Sequence, residues 1–206
     1  QGLRGPYLRM CHLEQDLVVY DVAKLLDNLF RGDRRIGNDE EFSKKVVLVD
    51  ENEMTAVMMG FPTLKGLSRE TPSTYVSVLL NQTAALHYID VAQEYGLAGD
   101  VCPMPEAELG VSIDDDAPIL GACAVQCNTT CDGSLMSNGG IAKRLELEDG
   151  IPIFQLAAPM RHREDDVQDY AAQEIKNCIA FIEEKTGEKW DWKYYFECAK
   201  RVNEST

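Results

Sequence analysis

The chain has 206 residues, 35 acidic against 20 basic side chains, a net charge of −15 and 45% hydrophobic residues. This length can bury a sizeable core, and this composition excludes collagen-like, low-complexity and wholly disordered chains. So acidic a chain is a poor non-specific binder of nucleic acid or anionic lipid, and no run of about 18 apolar residues offers a membrane span.

Gln1 is followed by no signal-peptide pattern, so the N-terminus reads as processed or incomplete. Seven cysteines is an odd number in a chain too large to need staples. That points to a reducing, cytoplasmic setting, where clustered cysteines bind metal or do redox chemistry.

Residues 13–31 carry Leu13, Leu17, Val18, Val22, Leu25, Leu26 and Leu29 at helical spacing, which predicts an N-terminal helical segment over 1–43. An α/β domain over 44–206 follows. Lys45–Asp50 is a short β-branched run and reads as a buried strand, and residues 51–60 as a helix turning towards Gly60-Phe61-Pro62. Residues 73–95 predict a longer helix, capped at Ser73 or Thr74 and ended by Gly96. Cys102-Pro103-Met104-Pro105 reads as a loop, because two prolines fall within three residues.

Pro118–Val125 predicts a second buried strand, running into a polar, turn-rich segment at Gln126–Gly133. A helix follows to about Glu148, then a strand at Ile151–Leu156 with Pro152 near its start. Residues 165–185 predict a helix with the stripe Val167, Tyr170, Ala171, Ile175, Cys178, Ile179 and Ile182, ended by Gly187. Residues 191–202 predict a last, aromatic-rich helix. Alternating strands and helices predict an α/β fold: a three-layer Rossmann-like parallel sheet flanked by helices.

The cysteines divide. Cys178 lies on a helix stripe, Cys198 in the last helix and Cys123 inside a strand, and each reads as a core residue. Cys11 is near the start and says little. Cys102, Cys127 and Cys131 fall in loops, two of which follow or precede strand ends, where open α/β sheets bind ligands. Cys131 also sits at a predicted helix N-terminus, a place that favours negative groups such as a metal-binding thiolate. The Cys127-x-x-x-Cys131 spacing alone favours two incidental loop cysteines. His12, His87 and His162 lack the neighbours of a zinc site, and Asp114-Asp115-Asp116 reads as a solvated turn rather than a calcium loop. No phosphate-binding glycine loop or nucleophile elbow is present.

The order of segments then carries a resemblance. It comprises Lys44–Asp50, the long helix with Gly96-Leu97, Cys102, Cys127-Asn128-Thr129-Thr130-Cys131-Asp132-Gly133, Gly150-Ile151-Pro152-Ile153-Phe154, and Phe181–Gly187. From about Lys44 onward the chain resembles the 2-hydroxyacyl-CoA dehydratase / benzoyl-CoA reductase family, in particular the 2-hydroxyglutaryl-CoA dehydratase D-component. The resemblance implies the first of two similar α/β domains, with a [4Fe–4S] cluster between them held by three cysteines and one iron open to substrate. Cys102 matches the first ligand and Cys131 the second, with Cys127 as the alternative second. The third comes from the second domain, which is absent from this chain, so the chain alone is expected to lack a stable cluster and to be inactive.

The implied chemistry is loss of water from a 2-hydroxyacyl-CoA by way of a ketyl radical anion. An electron is lent to the thioester carbonyl and then returned. The implied partners are the acyl-CoA substrate, a related second subunit in a heterodimer, and an ATP-dependent activator protein. Ring reduction of the benzoyl-CoA-reductase type, and a non-catalytic subunit lacking a complete cluster, remain as alternatives. A structural zinc domain is the third reading.

Overall fold

The computed structural model describes residues 23–24, 26–50, 55–69, 83–116, 120–127, 131–159 and 163–205. Residues 26–32 are helical. They are followed by α1 (Glu40–Ser43), β1 (Val46–Val49), α2 (Thr55–Met58), β2 (Lys65–Ser68), α3 (Ala84–Tyr95), α4 (Pro103–Asp114), β3 (Cys123–Cys127), α5 (Asp132–Leu147), β4 (Ile153–Leu156), α6 (Asp165–Thr186) and α7 (Trp192–Ser205). The four strands form one sheet in the order β2-β1-β3-β4, parallel throughout. The fold is therefore α/β with three layers, as the alternation of short apolar runs and helices predicts.

Side-chain alternation along the strands builds two cores. Val47, Val49, Cys123, Val125, Cys127 and Leu156 face one side, against Val57, Phe61, Cys178 and Ile182. Val46, Leu48, Leu67 and Ala124 face the other, against Phe42, Ala92, Leu109, Ile141 and Leu145. Each fully buried aliphatic side chain contributes roughly 1.5–3 kcal/mol. The first core is closed by α6, the second by α3, α4 and α5.

Several expectations need correction. Strand β2 carries no local signal: Lys65-Gly66-Leu67-Ser68 is too short and too polar to read as a strand, and it forms because it pairs along β1. Strand β3 begins at Cys123 rather than Pro118 and continues through Gln126 and Cys127, residues whose polarity and small size suggested a turn. Cys102-Pro103-Met104-Pro105 is no loop but the start of α4, with Cys102 at the N-cap and Pro103 at the first helical position. Both prolines lie in the first turn, where the N–H groups lack intrahelical partners anyway, so they cost the helix nothing.

Helix α6 matches its expected span and ends on Gly187 in the left-handed region (φ 76°). Its stripe is only half used. Cys178 and Ile182 are buried, whereas Tyr170 and Ile175 in the N-terminal half are exposed. The expected helix start at residues 73–82, the segment 51–54, and residues 1–22 with Cys11 and His12 lie outside the described residues, as does His162. Among the described residues no helix is long and apolar enough to cross a membrane.

Candidate functional site

The carboxyl ends of the parallel strands point to one edge of the sheet, the edge where open α/β proteins bind ligands. Two helices of the same layer, α4 and α5, begin there. Cys102 is the N-cap residue of α4 and Cys131 that of α5. Both have extended backbone, and neither thiol caps its own helix. Cys102 is exposed and Cys131 half-buried, and both are free thiols.

Gly133 explains how the two helix starts come together. A Cβ placed there would lie 2.8 Å from Cγ of Pro105, 3.4 Å from the backbone N of Cys102 and 3.4 Å from Sγ of Cys131. One point in space thus touches the first turn of both helices, and only glycine leaves it free. The Cys131-Asp132-Gly133 segment is therefore a packing device as well as a thiol carrier. The positive dipole ends of α4 and α5 converge on the same spot and suit an anionic ligand, with the free N–H groups coming mainly from α5 because Pro103 and Pro105 of α4 carry none.

Cys127 is placed differently. It is the last residue of β3, not a loop residue, and is 7% exposed. Its side chain belongs to the core closed by α6, alongside Cys178 and Leu156. That core lies on the opposite side of the sheet from α4 and α5. Cys123 and Cys178 are also in this core, and burial pushes both thiols up to about 12, so they stay neutral. Cys198 is half-buried on α7. Among the described residues no group of three His, Cys, Asp or Glu is arranged to hold a metal ion. The pair Cys102 and Cys131 fits part of a metal or cluster site and no more. His87 bonds Asp114 through Nε2 at 2.6 Å, on the surface. Asp115 is the left-handed C-cap of α4 (φ 58°) and pairs with Arg34 and Arg144, so the acidic turn is ion-paired rather than simply solvated.

Beneath the helix starts lies a buried polar network that no motif in the sequence announces. Asp50, immediately after β1, is fully buried. Its Oδ1 accepts from Arg69 Nη2 at 2.9 Å, and its Oδ2 from Asn138 Nδ2 at 2.9 Å and from the Cys127 N–H at 3.4 Å. Arg69 Nε also lies 3.2 Å from Oε1 of Glu108 on α4. Gln126 in β3, oriented to satisfy both ends of its amide, accepts from Arg69 Nη1 at 3.1 Å and donates to Gln155 at 3.0 Å. A charged residue closing a fully apolar strand, as Asp50 closes Val46–Val49, and a glutamine inside a buried strand were the signals available. Burying such groups costs several kcal/mol per ion unless they are paired; here both Asp50 oxygens accept hydrogen bonds, whereas Arg69 Nε meets Glu108 Oε1 as a charge contact without hydrogen-bond geometry.

An open three-layer parallel sheet with free thiols at two helix N-termini defines a Rossmann-like protein whose ligand edge can supply sulfur. Its sequence is more specific. Residues 54–206 match the family model for 2-hydroxyglutaryl-CoA dehydratase, D-component, and the chain belongs to that family. No curated protein matches it.

Proposed function

We propose that this chain is a component of an iron–sulfur 2-hydroxyacyl-CoA dehydratase and supplies two cysteine ligands, Cys102 and Cys131, to a [4Fe–4S] cluster. The observation that carries the reading is the meeting of two free thiols at the N-termini of α4 and α5, in a chain whose family is named for a dehydratase component. The chemistry a bound cluster supplies is one low-potential electron, lent to an acyl-CoA thioester carbonyl.

This chain's own part is binding and orientation. The two thiolates hold iron at the sheet's carboxyl edge. The helix N-termini add positive partial charge beside the anionic cluster. The apolar strands below keep water from one side. The remaining ligand, the second similar α/β domain, a related partner subunit and an ATP-dependent activator complete the enzyme in this reading, in the cytoplasm. The α/β domain over 44–206 is then the first of two, preceded by the helical segment 1–43.

A second reading is a fold-keeping subunit without a cluster of its own. It shares the two-thiol set with the first reading and differs in whether those thiols ever meet iron. Iron and acid-labile sulfide analysis of the anaerobically purified full-length protein with its partner separates the two, together with a 2-hydroxyacyl-CoA dehydration assay in the presence of activator and ATP. Four irons per cluster site and product formation support the dehydratase component. A complex that is free of iron at this site and still assembles supports the second reading.

A further inference from the structure

We propose that Asp50 and Asn138 are positioning residues for Cys131: they clamp the two ends of the β3–α5 connection so that the thiol is presented beside the start of α4. The inference rests on the reading of Cys102 and Cys131 as a ligand pair, and goes beyond it by assigning what sets their separation.

The clamp is visible atom by atom. Asn138 projects from α5 and is buried, and its Nδ2 donates both to Oδ2 of Asp50 at 2.9 Å and to the carbonyl of Cys127 at 3.1 Å. Asp50 Oδ2 also accepts from the Cys127 N–H at 3.4 Å. The register between β1 and β3 stops at Val49 and Val125, and the Asp50 N–H bonds the Val125 carbonyl. Past that point both main-chain groups of Cys127 bond side chains instead. The strand end before Cys131 and the helix after it are thereby fastened to one carboxylate.

The same carboxylate reaches the other thiol-bearing helix. Its Oδ1 holds Arg69, and Arg69 lies against Glu108 of α4. One continuous polar path runs from α5, headed by Cys131, through Asn138, Asp50, Arg69 and Glu108 to α4, headed by Cys102. Buried ion pairs are poor stabilisers compared with apolar packing of the same volume. Their value lies in direction: hydrogen bonds fix an angle and a register that apolar contacts leave loose. Two helix starts that must present sulfurs to one object need that constraint.

The test uses the full chain, reduced and kept anaerobic, with phenylarsine oxide as the probe. Its arsenic(III) joins two thiols, forming two As–S bonds and releasing the oxide oxygen as water with the two thiol protons, with no change of oxidation state. Intact mass and peptide mapping locate the bridge, and iodoacetamide reports Cys102 singly. In the unaltered chain one arsenic bridges Cys102 and Cys131, and Cys102→Ser or Cys131→Ser abolishes the bridge. Asn138→Ala slows bridging about tenfold or more while single alkylation of Cys102 is unchanged, since misplacement by about 1 Å is enough for such a loss. A merely structural role leaves that ratio unmoved. Asp50→Asn, nearly isosteric and leaving Arg69 with Glu108, is the second variant and behaves likewise, so a poorly folding Asn138→Ala does not remove the test. Failure of the unaltered chain to bridge these two thiols overturns the ligand-pair reading and this inference with it. Bridging by folded Asn138→Ala and Asp50→Asn at the unaltered rate overturns the positioning role alone.

Discussion

At the amino edge of the sheet, Arg34 binds Asp115 at 2.6 Å and also Asp149, and Arg144 binds Asp115 at 2.7 Å and Glu148 at 3.0 Å. At the carboxyl edge, Arg69 binds Asp50 at 2.9 Å and Glu108 at 3.2 Å. The chemistry is the same but the surroundings differ: the Arg34 side chain is 33% exposed, the Arg69 side chain 10% and the Asp50 side chain 1%. Water reaches Arg34, Asp115 and Glu148 of the first cluster, so their pairs are weaker and more replaceable, although Asp149 and Arg144 in it are largely covered. The second cluster is desolvated, so each member depends on the others and none can be removed alone. The amino edge ties the segment 31–39 to the domain, for which loose pairing is enough. The carboxyl edge carries the thiols, and there the chain spends buried charge on geometry.

The contrast can be broken most forcefully by Arg69→Ala, which leaves Asp50 and Glu108 buried without their cation. It should destabilise the chain by about 3–5 kcal/mol, read as a lower denaturation midpoint at unchanged slope. A loss as small as that of an exposed pair would mean that the network is wet and that the contrast is false.

Gly133→Ala comes next. The added methyl meets Pro105 at 2.8 Å, in the first turn of a neighbouring helix. It should cost about 1–3 kcal/mol and drive α4 from α5. A shifted thiol bridge with little loss of stability would still fit, whereas an unchanged stability together with an unchanged bridge would not.

The buried thiols sharpen the comparison as a reference that belongs to the core rather than to either edge. Burial raises Cys178 from a usual 9.0 to about 12 in the folded chain. A raised folded value means that the stabilising contribution is complete below the unfolded value and is lost as pH climbs from there towards about 12. Stability should therefore fall as pH rises above about 9, and Cys178→Ala should flatten that alkaline slope. An identical slope in the variant would contradict the assignment. Arg34→Ala, at the amino edge, should cost less than Arg69→Ala, and its cost should shrink in high salt, because Arg34 and Asp115 are each about a third exposed.

How much of this was written in the sequence depends on the kind of force involved. Strand β1, helix α6 and the Gly187 stop were legible because hydrophobic period and a left-handed cap are local signals. Cys131 at a helix start was legible for the same reason. Strand β2 was not, because Lys65–Ser68 becomes a strand only through its neighbour. Pro103 and Pro105 misled, because prolines open helices as readily as they end them. The place of Cys127 is hidden because Gln126, held by Arg69 and Gln155, has the polarity of a turn residue and is a strand residue only through those distant partners. The network as a whole joins residues 50, 69, 108, 126 and 138, and no local pattern announces pairing over such separations. The nearness of Cys102 and Cys131 depends on Gly133 fitting beneath Pro105, which only the packed helices reveal.

The central claim is that the two thiols heading α4 and α5, and not the core thiol of β3, belong to the metal centre. Iron counting on the anaerobically assembled full-length protein tests it most directly, comparing Cys102→Ser, Cys131→Ser and Cys127→Ser with the unaltered protein. The account predicts that the first two lose the iron and its spectroscopic signature while Cys127→Ser keeps both. Retention of iron by Cys102→Ser and Cys131→Ser, with loss in Cys127→Ser, would contradict it.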